Sequence, residues 1–506
     1  MSDSFRPPPR TDAIGLPTGP GTRQITGWIL GPLLVAITLL FPAPPGLSEE
    51  GWRTAGVAGL MAVFWIAECM PIPATALLPL ALFPLLGLGN IRDSSAPYAN
   101  PIIYLFLAGF LIALAMERWN LHRRIAINLI AHIGVKPKRI IAGFLVASAF
   151  LSMWVSNTAT ALMMLPIALS VVRLIPESER SQPALRAFST ALLLAVAYGA
   201  TTGGMATLIG TPPNALLAAY LESTYGVTIG FGQWMAIGVP VAGVGLVAVY
   251  VVLTRVSFSL ECADVPGLAG LLHTEKSRLG ALSRGEWGVA VVFVLTALAW
   301  IFQPVIARFV PLISDTTIGI IGALALFLIP VDLRRGEFVM NWESAKGLPW
   351  DVILLFGGGL SLAAAIERHG LAGYMGAFFS GLEGVPFLLL MALICFTLLM
   401  LTELTSNTAT AATFLPVVAV IALTLGQNPL YLAIPAALAT NCSYMMPVGT
   451  PPNAIVFGSG LITLPEMVRV GWLLNLCLLM IVLLAVIALG PWVFGIQFDV
   501  IPEWAR

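Results

Sequence analysis

Ser-Asn-Thr-Ala-Thr occurs twice in this chain, at 156–160 and at 406–410, and Gly-Thr-Pro-Pro-Asn-Ala also occurs twice, at 210–215 and 449–454. The first motif supplies hydroxyls and an amide, all neutral and each able to donate or accept a hydrogen bond. The second must interrupt a helix, because each proline removes a backbone donor and disfavours helical geometry in the residue before it. Where one helix ends and another begins, unpaired carbonyls and unpaired N–H groups lie close together. The carbonyls, with an Asn side-chain oxygen, suit a hard monovalent cation, and the N–H groups suit an anion such as a carboxylate. None of the four motifs contains Lys, Arg, Asp or His. A dianion bound there would have to be neutralised by bound cations, which points to cation-coupled symport rather than uniport.

The elements that hold these motifs are membrane helices. Of 506 residues, 58% are hydrophobic and only 10% charged, against about 25% charged in a soluble domain. Uncharged apolar runs of about 20 residues, enough to cross a ~30 Å hydrocarbon core, recur along nearly the whole chain. One of them is too long for a single crossing. Arg139 and Arg173 enclose 33 uncharged residues, about 50 Å as one helix, yet both flanks are basic. The positive-inside rule puts both flanks in the cytoplasm, so 140–172 is expected to dip in and return as a re-entrant hairpin with Asn157 at its tip. The second Ser-Asn-Thr sits at the centre of a matching hairpin, 384–424.

Eleven crossings and two hairpins follow. On that topology 20 of the 25 Lys and Arg residues are cytoplasmic, with Arg53, Arg92, Arg308, Arg368 and Arg506 outside. The repeat also extends beyond the motifs: "LFLAGFLIALAMERWNL" (105–121) aligns without a gap to "LFGGGLSLAAAIERHGL" (355–371) at the same offset of 250, with 8 of 17 residues identical. The expected organisation is a cytoplasmic tail over 1–24, a first crossing at 25–48, a first repeat over 51–257, a cytoplasmic linker over 258–285, a second repeat over 286–497 and an external tail over 498–506. Five crossings per copy, an odd number, force the copies to insert with inverted topology. Inverted repeats with hairpins and broken helices meeting at the bilayer midplane are how secondary transporters build a substrate site.

Other chemistries lack their residues. There is no HExxH, GxSxG or GxxxxGK[ST], and no pair of intramembrane aspartates, so neither a membrane-embedded enzyme nor an ATP-driven pump is expected. A net charge of zero gives no reason to expect a nucleic-acid partner. The five cysteines and four histidines show no metal-ligand spacing. Two acids near the motifs stand out. Glu403, three residues before Ser406, could serve as a proton relay, as a cation ligand or as a hydrogen-bond partner for a neighbouring helix end. Glu68 is expected at the cytoplasmic interface.

Paired Ser-Asn-Thr motifs, each followed by a Gly-Thr-Pro-Pro-Asn break, resemble the divalent anion/sodium symporter family over about residues 25–497. That resemblance implies an all-α polytopic protein of the cell inner membrane, N-terminus inside and C-terminus outside. It implies a homodimer embedded in lipid, in which the crossings to about residue 133 and those at 287–382 form a scaffold. Hairpins and broken helices form a mobile unit that moves by an elevator motion. It places substrate contacts on Ser156, Asn157, Thr158, Thr211, Pro212, Ser406, Asn407, Thr408, Thr450 and Pro451. A first sodium site falls on Ser152, Ser156, Asn157 and Gly210, and a second on Thr402, Thr405, Asn407 and Gly449. Sodium is the implied coupling ion, with at least two sites and no organic cofactor. The implied cargo is a small dianion, with C4-dicarboxylates expected and sulfate or citrate, or sodium-independent exchange, as alternatives.

Overall fold

The computed structural model describes residues 21–133, 136–175, 182–258, 260, 267–379 and 384–505. The tail expected over 1–24 falls outside these up to position 20, as do Arg180 and the linker acids Glu261 and Asp264. Among the described residues the chain is almost entirely helical. Eight helices are long and apolar enough to cross a membrane: Thr22–Leu40, Pro101–Arg118, Pro183–Gly204, Phe231–Val256, Arg284–Ile301, Trp350–Arg368, Asn407–Thr424 and Leu464–Phe494. One departure from the all-α expectation is a two-stranded antiparallel hairpin, Pro330–Asp332 with Glu337–Phe338. It turns at Gly336, whose φ of +64° is a conformation that favours glycine.

The two copies fold to the same plan. Pro137–Ser152 and Asn157–Arg173 are joined by a short tip, and Phe387–Thr402 and Asn407–Thr424 repeat it at an offset of 250. Each second arm starts where Ser caps it: Ser156 Oγ accepts from Ala159 N (3.2 Å) and Ser406 Oγ from Ala409 N (3.5 Å). Such a cap satisfies one of the donors that a helix start leaves unpaired. The broken helices also match. Pro183–Gly204 stops and Pro212–Tyr225 resumes, and Leu430–Thr440 stops and Pro451–Phe457 resumes. Between them Thr211 (φ −140°, ψ 144°) and Thr450 (φ −139°, ψ 147°) are extended, with prolines opening the next helix. The apolar stretch 71–88 folds as two short helices, Ile72–Thr75 and Leu78–Leu86, and carries Pro71, Pro73, Pro79 and Pro84.

Buried polar bonds tie the two broken helices to each other. Asn441 Nδ2 donates to Asn214 Oδ1 at 3.0 Å, the Tyr198 hydroxyl donates to the Tyr444 carbonyl at 2.8 Å, and Thr202 Oγ1 meets the Tyr444 hydroxyl at 2.8 Å. All three bonds cross from one repeat to the other, and in a dry interior an unmade partner would cost about 1–3 kcal/mol.

Leu121–Ile133 is amphipathic, burying Leu121, Ala126, Ile127 and Ile130, as suits a helix lying in a membrane interface. Burial holds His122, at its start, below the usual histidine range. The same helix clamps the segment between the repeats. Arg124 Nε pairs with Glu286 at 2.6 Å, and its other nitrogens donate to the carbonyls of Leu279 (2.7 Å), Gly280 (2.9 Å) and Ala281 (3.2 Å). Arg123 pairs with Glu275 of the linker helix Leu268–Leu279 at 2.7 Å. Arg124→Met leaves Glu286 without its ion-pair partner and the three carbonyls without the guanidinium donor. It is expected to cost about 3 kcal/mol, read as a lower melting temperature of the detergent-solubilised protein, while Arg123→Met, at a more exposed pair, changes it little.

Candidate functional site

Both tips and both breaks open onto one cavity of about 930 Å³, near the upper end of the ~300–1,000 Å³ typical of small-molecule sites. All ten residues expected to contact substrate line it: Ser156, Asn157, Thr158, Thr211, Pro212, Ser406, Asn407, Thr408, Thr450 and Pro451. Of the expected cation ligands, Ser156, Asn157, Gly210, Asn407 and Gly449 also line it. Ser152, Thr402 and Thr405 lie behind them, buried. The hydroxyls of Thr211 and Thr450 are buried without a hydrogen-bond partner. The N-termini of Asn157–Arg173, Asn407–Thr424 and Pro212–Tyr225 begin at this cavity, presenting partial positive charge where an anion would lie.

The first tip gathers oxygens. Ser152 Oγ donates to Asn157 Oδ1. That same Oδ1 lies 3.3 Å from the carbonyl oxygens of Ala200 and Gly210. Turning the amide over would let its nitrogen donate to both carbonyls. In that orientation the carbonyls of Ala200 and Gly210 and the Ser152 hydroxyl all accept from the amide, and the tip is internally hydrogen-bonded. The second tip is built alike: Thr402 Oγ1 lies within hydrogen-bond reach of Asn407 Oδ1 (2.6 Å) and of the Thr440 carbonyl (3.0 Å). Thr405 Oγ1 meets Thr410 Oγ1 at 2.7 Å and donates to the Leu401 carbonyl at 2.9 Å. Glycine allows a close approach beside each tip. A Cβ at Gly210 would overlap the Gly204 backbone, and one at Gly449 would overlap Ser443 Oγ.

Opposite the polar motifs the wall is apolar. Phe106, Phe110, Val352 and Leu355 face the cavity, and Phe106 is fixed edge-on against Phe110 (5.5 Å) and Phe356 (5.0 Å). The remaining charges are negative: Glu68, Glu117 and Asp351 line the cavity and are exposed. No Lys, Arg or His is among the described residues that line it. Sequence reasoning put Glu68 at an interface and did not find Glu117, Asp351, Asn441, Ala200 or the aromatic wall. Ala200 contributes only a carbonyl, which leaves no signature in residue type.

Glu403 resolves into one of its three readings. Buried at 3% exposure, it accepts five hydrogen bonds, from Ser443 Oγ, the backbone N–H groups of Tyr444, Met445 and Met446, and Asn475 Nδ2. With both oxygens filled by donors, it is the hydrogen-bond partner of the helix end at the second break.

A helical membrane protein whose internal repeats meet at one polar cavity has the build of a transport protein. The chain belongs to the sodium:sulfate symporter transmembrane region family, which it matches over residues 23–496. It is 42% identical over 481 residues to the sodium-dependent dicarboxylate transporter SdcS of Staphylococcus saprophyticus, covering 94% of this chain and 93% of that one. The SdcS of Staphylococcus aureus is 41% identical over 485 residues, with the same coverage. Among solved structures, the fold is similar to the YdaH transporter of Alcanivorax borkumensis (TM-score 0.56, 14% identity, 93% of this chain and 98% of that one). It is also similar to MtrF of Neisseria gonorrhoeae (TM-score 0.55, 12% identity, 93% and 96%).

Proposed function

We propose that this chain is a secondary active transporter that carries C4-dicarboxylates such as succinate, malate or fumarate into the cell, driven by sodium. The observation that carries the reading is the convergence of both Ser-Asn-Thr tips and both Gly-Thr-Pro-Pro breaks on one cavity with no basic lining residue. Sodium at the two tips would supply the positive charge the cavity lacks. The hydroxyls of Ser156, Thr158, Thr211, Ser406, Thr408 and Thr450 would then bind the carboxylates, with Asn157 and Asn407 shared between ion and substrate. Two sodium ions neutralise a dianion, and a third would make the cycle electrogenic.

In the bilayer the chain makes eleven crossings, with 140–172 and 384–424 as re-entrant hairpins entering from opposite sides. The 258–285 linker is cytoplasmic. On this topology Glu68, at the end of Glu49–Ala67, Glu117, at the end of Pro101–Arg118, and Asp351, at the start of Trp350–Arg368, are all cytoplasmic, so the cavity opens inward. The apolar wall of Phe106, Phe110, Val352 and Leu355 belongs to the scaffold. The hairpins and broken helices slide along it as an elevator, and two copies pair through their scaffolds, as the family resemblance implies.

The test is uptake of radiolabelled succinate by proteoliposomes, empty or preloaded with succinate, with an inward sodium gradient or with potassium in its place. Accumulation in empty vesicles that requires external sodium is expected. Uptake confined to preloaded vesicles and indifferent to sodium would make the protein an exchanger and remove the role assigned to the tips.

A further inference from the structure

The two tips are built alike, but their surroundings carry different charge. In the first copy the position matching Glu403 is Met153. There the break is held by a neutral device: Thr207 Oγ1 donates to the Met153 carbonyl and accepts from Gly210 N (3.0 Å). In the second copy Glu403 does this work with a carboxylate. Oε1 takes donors from Tyr444 N (2.8 Å), Met445 N (3.0 Å) and Asn475 Nδ2 (2.6 Å), and Oε2 from Ser443 Oγ (3.0 Å) and Met446 N (2.9 Å). Three of the five are backbone N–H groups, which cannot reverse their role. Both carboxylate oxygens act here as acceptors only.

Asn475 follows the same logic. Its nitrogen is turned to the carboxylate while its Oδ1 is left buried without a partner. Its place in the first copy is held by Ala242, four residues after Gly238 as Asn475 is four after Gly471. Both of those glycines pack against the backbone of their own break. The charge also lies beside the proposed second ion site. Glu403 sits between Thr402 and Thr405, and its carbonyl oxygen and Oε2 each come within 3.2 Å of where a Cβ on Gly449 would stand.

We propose that Glu403 is a positioning residue whose fixed negative charge makes the two sodium sites unequal, so that the second site fills first and empties last. The inference rests on the sodium reading given above. All five donors are neutral, so their dipoles soften the field of the carboxylate but none of them cancels its net charge. A unit charge a few ångströms away in a protein interior strengthens cation binding at least about tenfold. The first site has no such charge and fills at higher sodium.

The experiment is sodium binding by the purified protein without substrate, followed by calorimetry and by thermal stabilisation relative to potassium. Two phases are expected, at least about tenfold apart. Ser152→Ala removes the weak phase and keeps the tight one, whereas Thr402→Ala removes the tight phase. Glu403→Gln moves the tight phase toward the weak one and leaves the weak phase in place. A role limited to holding the break would lower the melting temperature of Glu403→Gln equally in sodium and potassium and leave the sodium midpoints unmoved, which would overturn the proposal. Should Glu403→Gln not fold, the single-site variants decide: equal residual affinities, or a tighter first site, refute it. An absence of any sodium effect on the unmodified protein would instead overturn the sodium reading itself, and this inference with it.

Discussion

Asn157→Ala and Asn407→Ala each reduce sodium-driven uptake at least about a hundredfold while leaving a folded, membrane-inserted protein. In the proposed site each amide serves twice, facing the cavity where the dianion would lie and pairing with the hydroxyl of Ser152 or Thr402, which the proposal places among the ion ligands. A hydrogen bond to a charged group is worth about 1.5–3 kcal/mol, and a hundredfold corresponds to about 2.7 kcal/mol, so the loss of one shared ligand is enough. Neither side chain caps its helix, since Ser156 and Ser406 do that, and the fold survives. The check is uptake per unit of reconstituted protein, alongside the elution profile and melting temperature in potassium. If either variant takes up succinate normally, the site at that tip is misassigned.

Gly210→Ala is expected to be the more damaging of the two glycine substitutions beside the tips. A Cβ at 210 would press on three atoms of the Gly204 backbone, and backbone inside a broken helix has nowhere to move. Overpacking of this kind costs about 1–3 kcal/mol, and here it displaces a carbonyl assigned to the first ion. At 449 the obstacle is the Ser443 hydroxyl, a side chain that can rotate if it gives up its bond to Glu403. Gly449→Ala should therefore retain measurable uptake with a raised sodium requirement, whereas Gly210→Ala loses uptake at any sodium concentration. The opposite order would mean that the second break, not the first, is the tighter cage.

What the sequence made legible was whatever had to be repeated. The offset of 250 between Ser156 and Ser406 also relates Ser152 to Thr402 and Asn157 to Asn407 as helix ends, because a tip that joins two helix ends cannot drift in register with its arms. Prolines 212 and 213, and 451 and 452, announced the two breaks for the same reason. Less visible were features that any residue type can supply. Ala200 offers a carbonyl, Phe106 and Phe110 are ordinary apolar residues until a cavity opens in front of them, and Glu117 and Asp351 sit at helix ends where charges are commonplace. Glu403 was visible as an anomaly and unreadable as a role. Its five donors come from the segment 443–446 and from Asn475, 40 to 72 residues further along.

The bonds from Asn441 to Asn214 and from Tyr198 to Tyr444 have a consequence for the lipid. They join the two broken helices to each other, which suits a cycle in which the cavity changes sides with the whole block. In the proposed cycle the whole joined block must travel, and its outer helices must exchange lipid neighbours as it does so. Turnover should then answer to the thickness of the bilayer, each ångström of mismatch adding a fraction of a kcal/mol to one end of the stroke, even though no lipid touches the substrate.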